Sequence, residues 1–434
     1  MTGPFASNRA KEGFPLKKEL LSCVLALCLT ACAPAGSSAA SVSPAAAPEY
    51  PKAVSFDDYE GRRAVREEYP VSDGLWDSLS GFSARSASLA LGGRSDNALY
   101  SPVSLWFALA LCAESARGET RAALLDALGL PEGAAAGAKA LYNNLYQDNE
   151  MGALKPSISF WINEDFSVNQ DFLDQAAEDF YAHSYLCDFS DAAAGEAMGD
   201  WLKEATGGLL GGQAVETAPE TLMTLFSALY YSDQWIDEFQ KDRNTEGDFH
   251  NADGSVSRAE YMNRTYSSHG WQSGEGWLST GLSLKNGSAM YFVLPDEGVT
   301  LGDLLADRET LAEILAQDGD GGWGEVVLQV PKFRVDDSLD LKDTVAGLGA
   351  GIVFDEARAD FSNLSEDALC LSSVKQETTL SIDEKGVTAA AFTQIDYAGE
   401  APPDGRAELI LDRPFLFFVT AGSVPLFVGM VNQV

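Results

Sequence analysis

The chain has 434 residues, 46% hydrophobic, 10% aromatic and 22% charged, with 29 Lys and Arg against 65 Asp and Glu and a net charge of −36. That composition excludes a disordered chain, a collagen and a small disulfide-stapled scaffold. So acidic a surface repels phosphate backbones and anionic headgroups, which argues against nucleic-acid binding through a basic face.

In chain order the first element is an address. Arg9, Lys11, Lys17 and Lys18 form a basic stretch, and Leu20 to Leu29 is a ten-residue, mostly apolar run, too short for a permanent membrane helix. It ends in Leu29-Thr30-Ala31-Cys32, small residues before a cysteine. This resembles the lipobox of bacterial lipoproteins, in which the cysteine is acylated and becomes the new N-terminus. An ordinary secretory signal cut near Ala31 or Ala33 is the alternative. The resemblance implies a signal peptide over 1–31, lipidation at Cys32, and an extracytoplasmic protein held on the cell membrane or surface by lipid alone. Loss of 1–31 removes four positive and two negative charges and leaves the remainder near −38. Cys112, Cys187 and Cys370 then remain, three thiols that cannot all pair internally, so buried free thiols are expected.

Residues 33–50 are almost entirely Ala, Ser and Pro, and 51–72 are charged with little periodicity. Residues 32–72 therefore read as a flexible tether, and 73–434 as the folded domain. Apolar residues at three- and four-residue spacing predict helices over 74–91, 103–116, 119–128, 135–147 and 171–181. Ser101 is a good N-cap and Pro102 a good first helical residue. Strands are predicted at 224–231, 281–283, 289–294, 325–330, 378–382, 407–411, 415–420 and 426–431. They come in runs, which points to an α+β fold and away from a doubly wound parallel sheet.

Several chemical motifs dissolve on inspection. Gly319-Asp-Gly321-Gly-Trp-Gly324 matches GxGxxG, but it follows a helix and precedes a strand, and Asp318 and Asp320 would repel a pyrophosphate; it reads as a loop. Ser372-Ser-Val-Lys375 and Ser95-Asp96-Asn97 fit penicillin-binding motifs in the wrong order and without KTG. The histidines, His183, His250 and His269, form no zinc spacing, and no GxSxG nucleophile elbow exists. No metal, cofactor or catalytic group is expected, and the chain does not read as an enzyme.

The informative stretch is 380–406. Sorted by strand period, Val387, Ala389, Ala391, Thr393, Ile395 and Tyr397 share one face, entirely apolar or small, and the charge of Asp396 falls on the other. A solvent loop has no use for that pattern, whereas a segment that also becomes a half-buried strand does. A permanent edge strand followed by a hairpin is the other reading.

Here the chain resembles a known family, the serpins. Glu384-Lys-Gly386-Val-Thr-Ala-Ala-Ala is similar to their hinge, and Asn97-Ala-Leu-Tyr-Ser101-Pro102-Val-Ser104 to their shutter, with Gly118-Glu-Thr120 following. Phe226-Ser-Ala-Leu-Tyr-Tyr-Ser-Asp-Gln-Trp235 resembles the strand running to the breach tryptophan. Val330-Pro-Lys332-Phe, Ala359-Asp-Phe-Ser362, Asp412-Arg-Pro-Phe415 and Pro425-Leu-Phe-Val-Gly429 continue the series in family order. The resemblance implies three β-sheets, the central one large and mostly antiparallel, with about eight or nine helices and an exposed reactive-centre loop.

It also implies a monomeric suicide inhibitor of serine proteases, and sometimes of papain-like cysteine proteases. Such an inhibitor traps the acyl-enzyme when its cleaved loop inserts into the central sheet. The implied hinge is Glu384, Gly386, Val387, Thr388, Ala389, Ala390 and Ala391. The implied scissile bond is Glu400–Ala401, with Ala398–Gly399 as the alternative because the loop is longer than usual. Shutter and breach positions fall on Ser101, Ser104, Ser227, Gln376, Trp235 and Lys332. Ser227 and Gln376 depart from the usual asparagine and histidine, so a Ser227–Gln376 contact is expected, and an ion pair between Glu384 and Lys332. The alternative function is that of a non-inhibitory binding protein of the serpin fold. Its members tend to carry bulky or charged hinge residues, which are absent at 386–391.

Overall fold

In a computed structural model, which describes residues 42–133, 137–387 and 405–434, helices dominate the first half and strands the second. The helices are α1 (Tyr59–Glu68), α2 (Asp73–Leu91), α3 (Pro102–Ser115), α4 (Gly118–Leu128), α5 (Ala138–Leu145), α6 (Gln170–Phe180), α7 (Ala192–Ala205), α8 (Leu301–Ala306), α9 (Arg308–Ala316) and α10 (Lys342–Val345). The strands are β1 (Val42–Ala46), β2 (Ala98–Tyr100), β3 (Gln147–Asn149), β4 (Gly152–Asn163), β5 (Ala182–Cys187), β6 (Met223–Gln234), β7 (Thr245–His250), β8 (Val256–Gly274) and β9 (Trp277–Ser283). They continue as β10 (Ser288–Pro295), β11 (Asp320–Pro331), β12 (Arg334–Asp340), β13 (Ser373–Ser381), β14 (Gly386–Val387), β15 (Arg406–Ile410), β16 (Phe415–Ala421) and β17 (Val424–Val431).

One sheet runs β1-β5-β4-β6-β13-β12, with β3 on β4 and β14 on β6. The other runs β15-β11-β8-β9-β10-β16-β17-β2, with β7 on β8. Two of the three expected sheets are thus one continuous ladder, because the nineteen-residue β8 passes from one into the other. Helix α3 organises the core. Ser101 caps it, Pro102 starts it, and thirteen of its fourteen residues are buried, as a helix apolar on all faces requires. It touches β4 and β6 of the first sheet and β17 of the second.

The expected helices at 74–91, 103–116, 119–128 and 171–181 stand within a residue or two of α2, α3, α4 and α6. Ten α-helices lie among the described residues against the eight or nine expected, and one of the additions is α1.

The tether reading is corrected for 42–72. Residues 42–46 extend the first sheet, pairing antiparallel from Val42 opposite Cys187 to Ala46 opposite Ser184. An edge strand is built from backbone groups and needs no apolar alternation, so an Ala/Ser/Pro segment serves. Pro44 is tolerated beside the register irregularity at 44–46. Helix α1 buries none of its residues and rests on local terms, the Asp58 cap and an Arg63–Glu67 ion pair of 2.9 Å. The glycine-rich 319–324 is also no loop: from Asp320 it is strand, paired with Ser273 to His269 of β8.

Candidate functional site

The first sheet is forked. β6 and β13 run parallel, paired only from Thr224 opposite Ser373 to Ala228 opposite Glu377. Above that level they part among the described residues. Past β13 the chain turns tightly: Asp383 accepts from the backbone N–H of Lys385 (2.8 Å) and Gly386 (3.2 Å), and Ile382 bridges Val387. Gly386 and Val387 then lie antiparallel on β6, opposite Gln234 and Asp233, with Val387 fully buried. This short β14 is the start of a strand in the mouth of the fork. Two parallel strands with a gap between them accept a third that runs antiparallel to both, the ladder with perpendicular, well-paired hydrogen bonds.

The turn is held from below. Trp235 is fully buried; its indole N–H donates to the Asp383 carbonyl (2.9 Å) and its backbone N–H to that of Lys385 (2.9 Å). Phe239 N–H takes the Glu384 carbonyl at 2.9 Å. The Glu384 carboxylate meets Lys332 Nζ at 2.7 Å and Asn244 Nδ2 at 2.6 Å. Lys332 in turn reaches Glu260 at 3.0 Å. Burial alone would raise the Glu384 carboxyl, but the hydrogen bonds from Lys332 and Asn244 hold it below the ordinary glutamate range.

At the lower end of the fork Gln376 is fully buried. Its amide oxygen accepts from Ser101 N–H (2.7 Å) and its amide nitrogen donates to the Ser101 carbonyl (2.9 Å). Ser101 Oγ donates to Ser104 Oγ at 2.9 Å. Ser227 is opposite Gln376 in register, yet the expected side-chain contact between them is not formed, and Ser227 Oγ has no partner among the described residues. The reason is reach. The longer glutamine side chain satisfies both backbone groups at the cap of α3, which a serine hydroxyl across the ladder cannot offer.

Thr388 to Ala391 of the hinge, both scissile-bond alternatives (Glu400–Ala401 and Ala398–Gly399), and Cys32 lie outside the described residues. At its far end the loop re-enters the second sheet at Gly405, whose carbonyl accepts from Glu325 N–H (3.0 Å) before β15 runs parallel to β11. Cys112, Cys187 and Cys370 are free and buried. Among the described residues no group of three or more His, Cys, Asp or Glu side chains could hold a metal ion.

Sequence reasoning missed Asp233. It is fully buried at the top of β6, beside Val387, and accepts from the backbone N–H of Gln234 (2.8 Å) and Asn286 (3.1 Å). Burial pushes its carboxyl up to about 7, with those donors and Lys285 pulling it back. Its place at the end of a mostly apolar strand, two residues before Trp235, was the available signal.

Comparison with known proteins agrees with this geometry. The family profile described as "Serpin (serine protease inhibitor)" matches residues 82–434. An alpha-1-antitrypsin-like protein of Tamias sibiricus is 27% identical over 84% of this chain and 90% of its own. Serpin-ZXA of Oryza sativa subsp. japonica is 28% identical over 78% of this chain and 91% of its own. Among solved structures, the thermophilic serpin tengpin in its native state superposes with a TM-score of 0.75 at 26% identity, covering 84% of this chain and 95% of that one.

Proposed function

Because the chain belongs to the serpin family, we propose that it is a suicide inhibitor of serine proteases, with papain-like cysteine proteases as a second target class. The protease's serine oxygen attacks the carbonyl of Glu400. The bond to Ala401 breaks, the Ala401 amine leaves with a proton, and an ester joins Glu400 to the protease. Ala398–Gly399 is the alternative bond. The freed loop then enters the fork as a strand, carrying the ester away from the loop pole before water hydrolyses it. A glutamate at the cut favours a glutamate-preferring protease; an alanine favours an elastase- or subtilisin-like one.

The observation that carries this reading is the forked pair of β6 and β13 with Gly386 and Val387 already laid on β6 at its mouth. An open ladder whose next strand has begun supports insertion of the cleaved loop, and the small hinge residues up to Val387 support it further. The same proposal places a lipid on Cys32 after removal of 1–31, a body held on the outer side of a cell membrane by that lipid, and a monomer that meets its partner protease one to one.

The test is incubation of the full chain with elastase, subtilisin, a glutamyl endopeptidase and trypsin. The expected result is a denaturant-stable complex on gels and a released C-terminal peptide beginning at Ala401 by mass spectrometry. Clean cleavage without a complex, and without a rise in thermal stability of the cut form, refutes insertion and leaves the non-inhibitory binding protein. Intact-mass analysis of membrane-extracted protein tests the acylated Cys32, and an unmodified N-terminus there refutes it.

A further inference from the structure

The two ends of the reactive loop are bridged on the body by a cleft of about 580 Å³. At the end where the loop departs is Ile236, 49% exposed, directly after the Trp235 that holds the 383–385 turn. At the end where it returns are Trp271 and Trp323, and Tyr266, His269 and Tyr291 line the middle. We propose that this cleft is a docking surface for the target protease, with Trp323 as its anchor. The proposal rests on the inhibitory reading above.

Trp323 is 58% exposed, unusual for so large an apolar side chain, and yet it is held in place. Its indole N–H donates to Ser268 Oγ at 2.7 Å and its ring lies over Gly270, where an added Cβ would come within 3.2 Å. A rigid, exposed tryptophan is the side chain found most often as an energetic anchor in protein interfaces, because it loses little freedom on binding.

The glycines that suggested a nucleotide loop have a different use here. A Cβ on Gly322 would meet Trp271 at 2.1 Å, and one on Gly324 would meet the Gly405 carbonyl at 2.1 Å. The indole of Trp271 therefore lies flat on the β11 backbone and reaches Gly405, where an added Cβ would be 3.0 Å from its ring. Glycine at 322, 324 and 405 permits a flat aromatic platform against the residue that ends the loop.

Position selects the partner. Gly405 is four residues beyond Ala401, a span of at most roughly 14 Å. A protease of about 200 residues has a radius of gyration of about 16 Å, so one seated on the Glu400–Ala401 bond is large enough to reach the platform. Asp237 lines the cleft, and Asp318, Asp320 and Glu325 adjoin its lining residues Gln317, Gly322 and Trp323 along the chain, so its surroundings are acidic. Its cations Arg264 and Arg406 are engaged at 3.4 Å by Asp237 and at 2.7 Å by Glu325. The fitting surface is an apolar patch bordered by Lys and Arg near the subsites that hold the residues after the cut.

The test compares the full chain with Trp323→Ala and Trp323→Phe against subtilisin and elastase, active and with the catalytic serine replaced by alanine. The expected result is an association rate constant for Trp323→Ala at least tenfold lower, with covalent complex per cut loop and melting temperature unchanged. Binding of the inert protease falls by a similar factor, and Trp323→Phe recovers most of both. Equal rates for Trp323→Ala and the parent overturn the docking surface and leave the inhibitor intact. A loss of rate accompanied by more cut loop per complex and a lower melting temperature also overturns it, as does a Trp323-dependent dimer in sedimentation. A parent chain that forms no covalent complex but binds inert protease through Trp323 refutes the inhibitory reading and not the surface; one that does neither refutes both.

Discussion

Asp233→Asn separates the electrostatics of the hinge mouth from everything else in a chain with 65 carboxylates. The folded carboxyl titrates near 7 because it is buried, against about 3.9 in the unfolded chain. The native state therefore binds the proton more tightly. The stability this group contributes is complete below about pH 4, is lost as pH rises through 7, and is constant above that. At 1.36 kcal/mol per unit, a shift of roughly three units corresponds to about 4 kcal/mol. Asparagine keeps an oxygen for the Gln234 N–H and carries no charge, so its own contribution is flat. Urea unfolding of parent and variant at half-unit steps from pH 4.5 to 8 cancels the common background of the other acids. The parent's free energy relative to the variant should fall by about 3 kcal/mol across that range, with equal m-values. A carboxyl carbon resonance that titrates near 7 and vanishes in the variant gives the same answer without denaturant. Parallel stability curves, or a resonance titrating below 5, would refute the assignment of a buried, proton-binding carboxyl beside Val387.

Three further outcomes follow from the same groups. Lys332→Met leaves Glu384 with Asn244 as its remaining side-chain partner across the turn, and urea unfolding at pH 7 should show a loss of about 1–2 kcal/mol, partly recovered by adding Glu384→Gln. Gln376→Ala strands the buried Ser101 N–H and opens a cavity, and should cost about 2–4 kcal/mol; a loss under half a kcal/mol would show that water replaces the amide. Val387→Glu puts a carboxylate opposite buried Asp233, so the loop should be cut without entering the fork, and gels should show cleaved chain in place of covalent complex.

The sequence disclosed what repeats locally. Helix α3 was legible because a cap, a first-turn proline and an unbroken apolar run agree within fifteen residues. Strands β16 and β17 were legible as apolar runs between turns. What composition concealed was structure made by distant partners. β1 consists of small residues and proline, and its order comes from the exposed edge of β5, about 140 residues away in the chain. The meeting of Lys332 with Glu384 follows from no spacing; only the family resemblance placed the two residues at one end of a sheet. Gln376 was read as a partner for the residue opposite it in the ladder. Its true partner is the backbone at the cap of α3, which is apparent only when sheet and helix are packed together. Asp233 escaped because composition does not distinguish one acid among 65, and its one mark, the place just before Trp235 at the end of a mostly apolar strand, is positional.

The fork also sets what insertion must break. Below it, β6 and β13 share five register pairs, Thr224–Ala228 with Ser373–Glu377. At roughly 1 kcal/mol net for each hydrogen bond, parting them costs on the order of 5 kcal/mol. A strand that continues β14 downward restores a ladder on each of its sides, so the return exceeds the outlay. The Gln376 amide does not oppose that passage, because its two hydrogen bonds run to Ser101 and not across the gap. The clamp therefore fixes β13 to the end of α3 while β6 is left to move, with β4, β5 and β1 paired behind it in succession. Resistance to opening is concentrated in a short parallel ladder and in the Glu384–Lys332 pair at its mouth, with buried Asp233 beside Val387. Changes at those few residues should alter the rate of insertion far more than substitutions of equal size elsewhere in the apolar core.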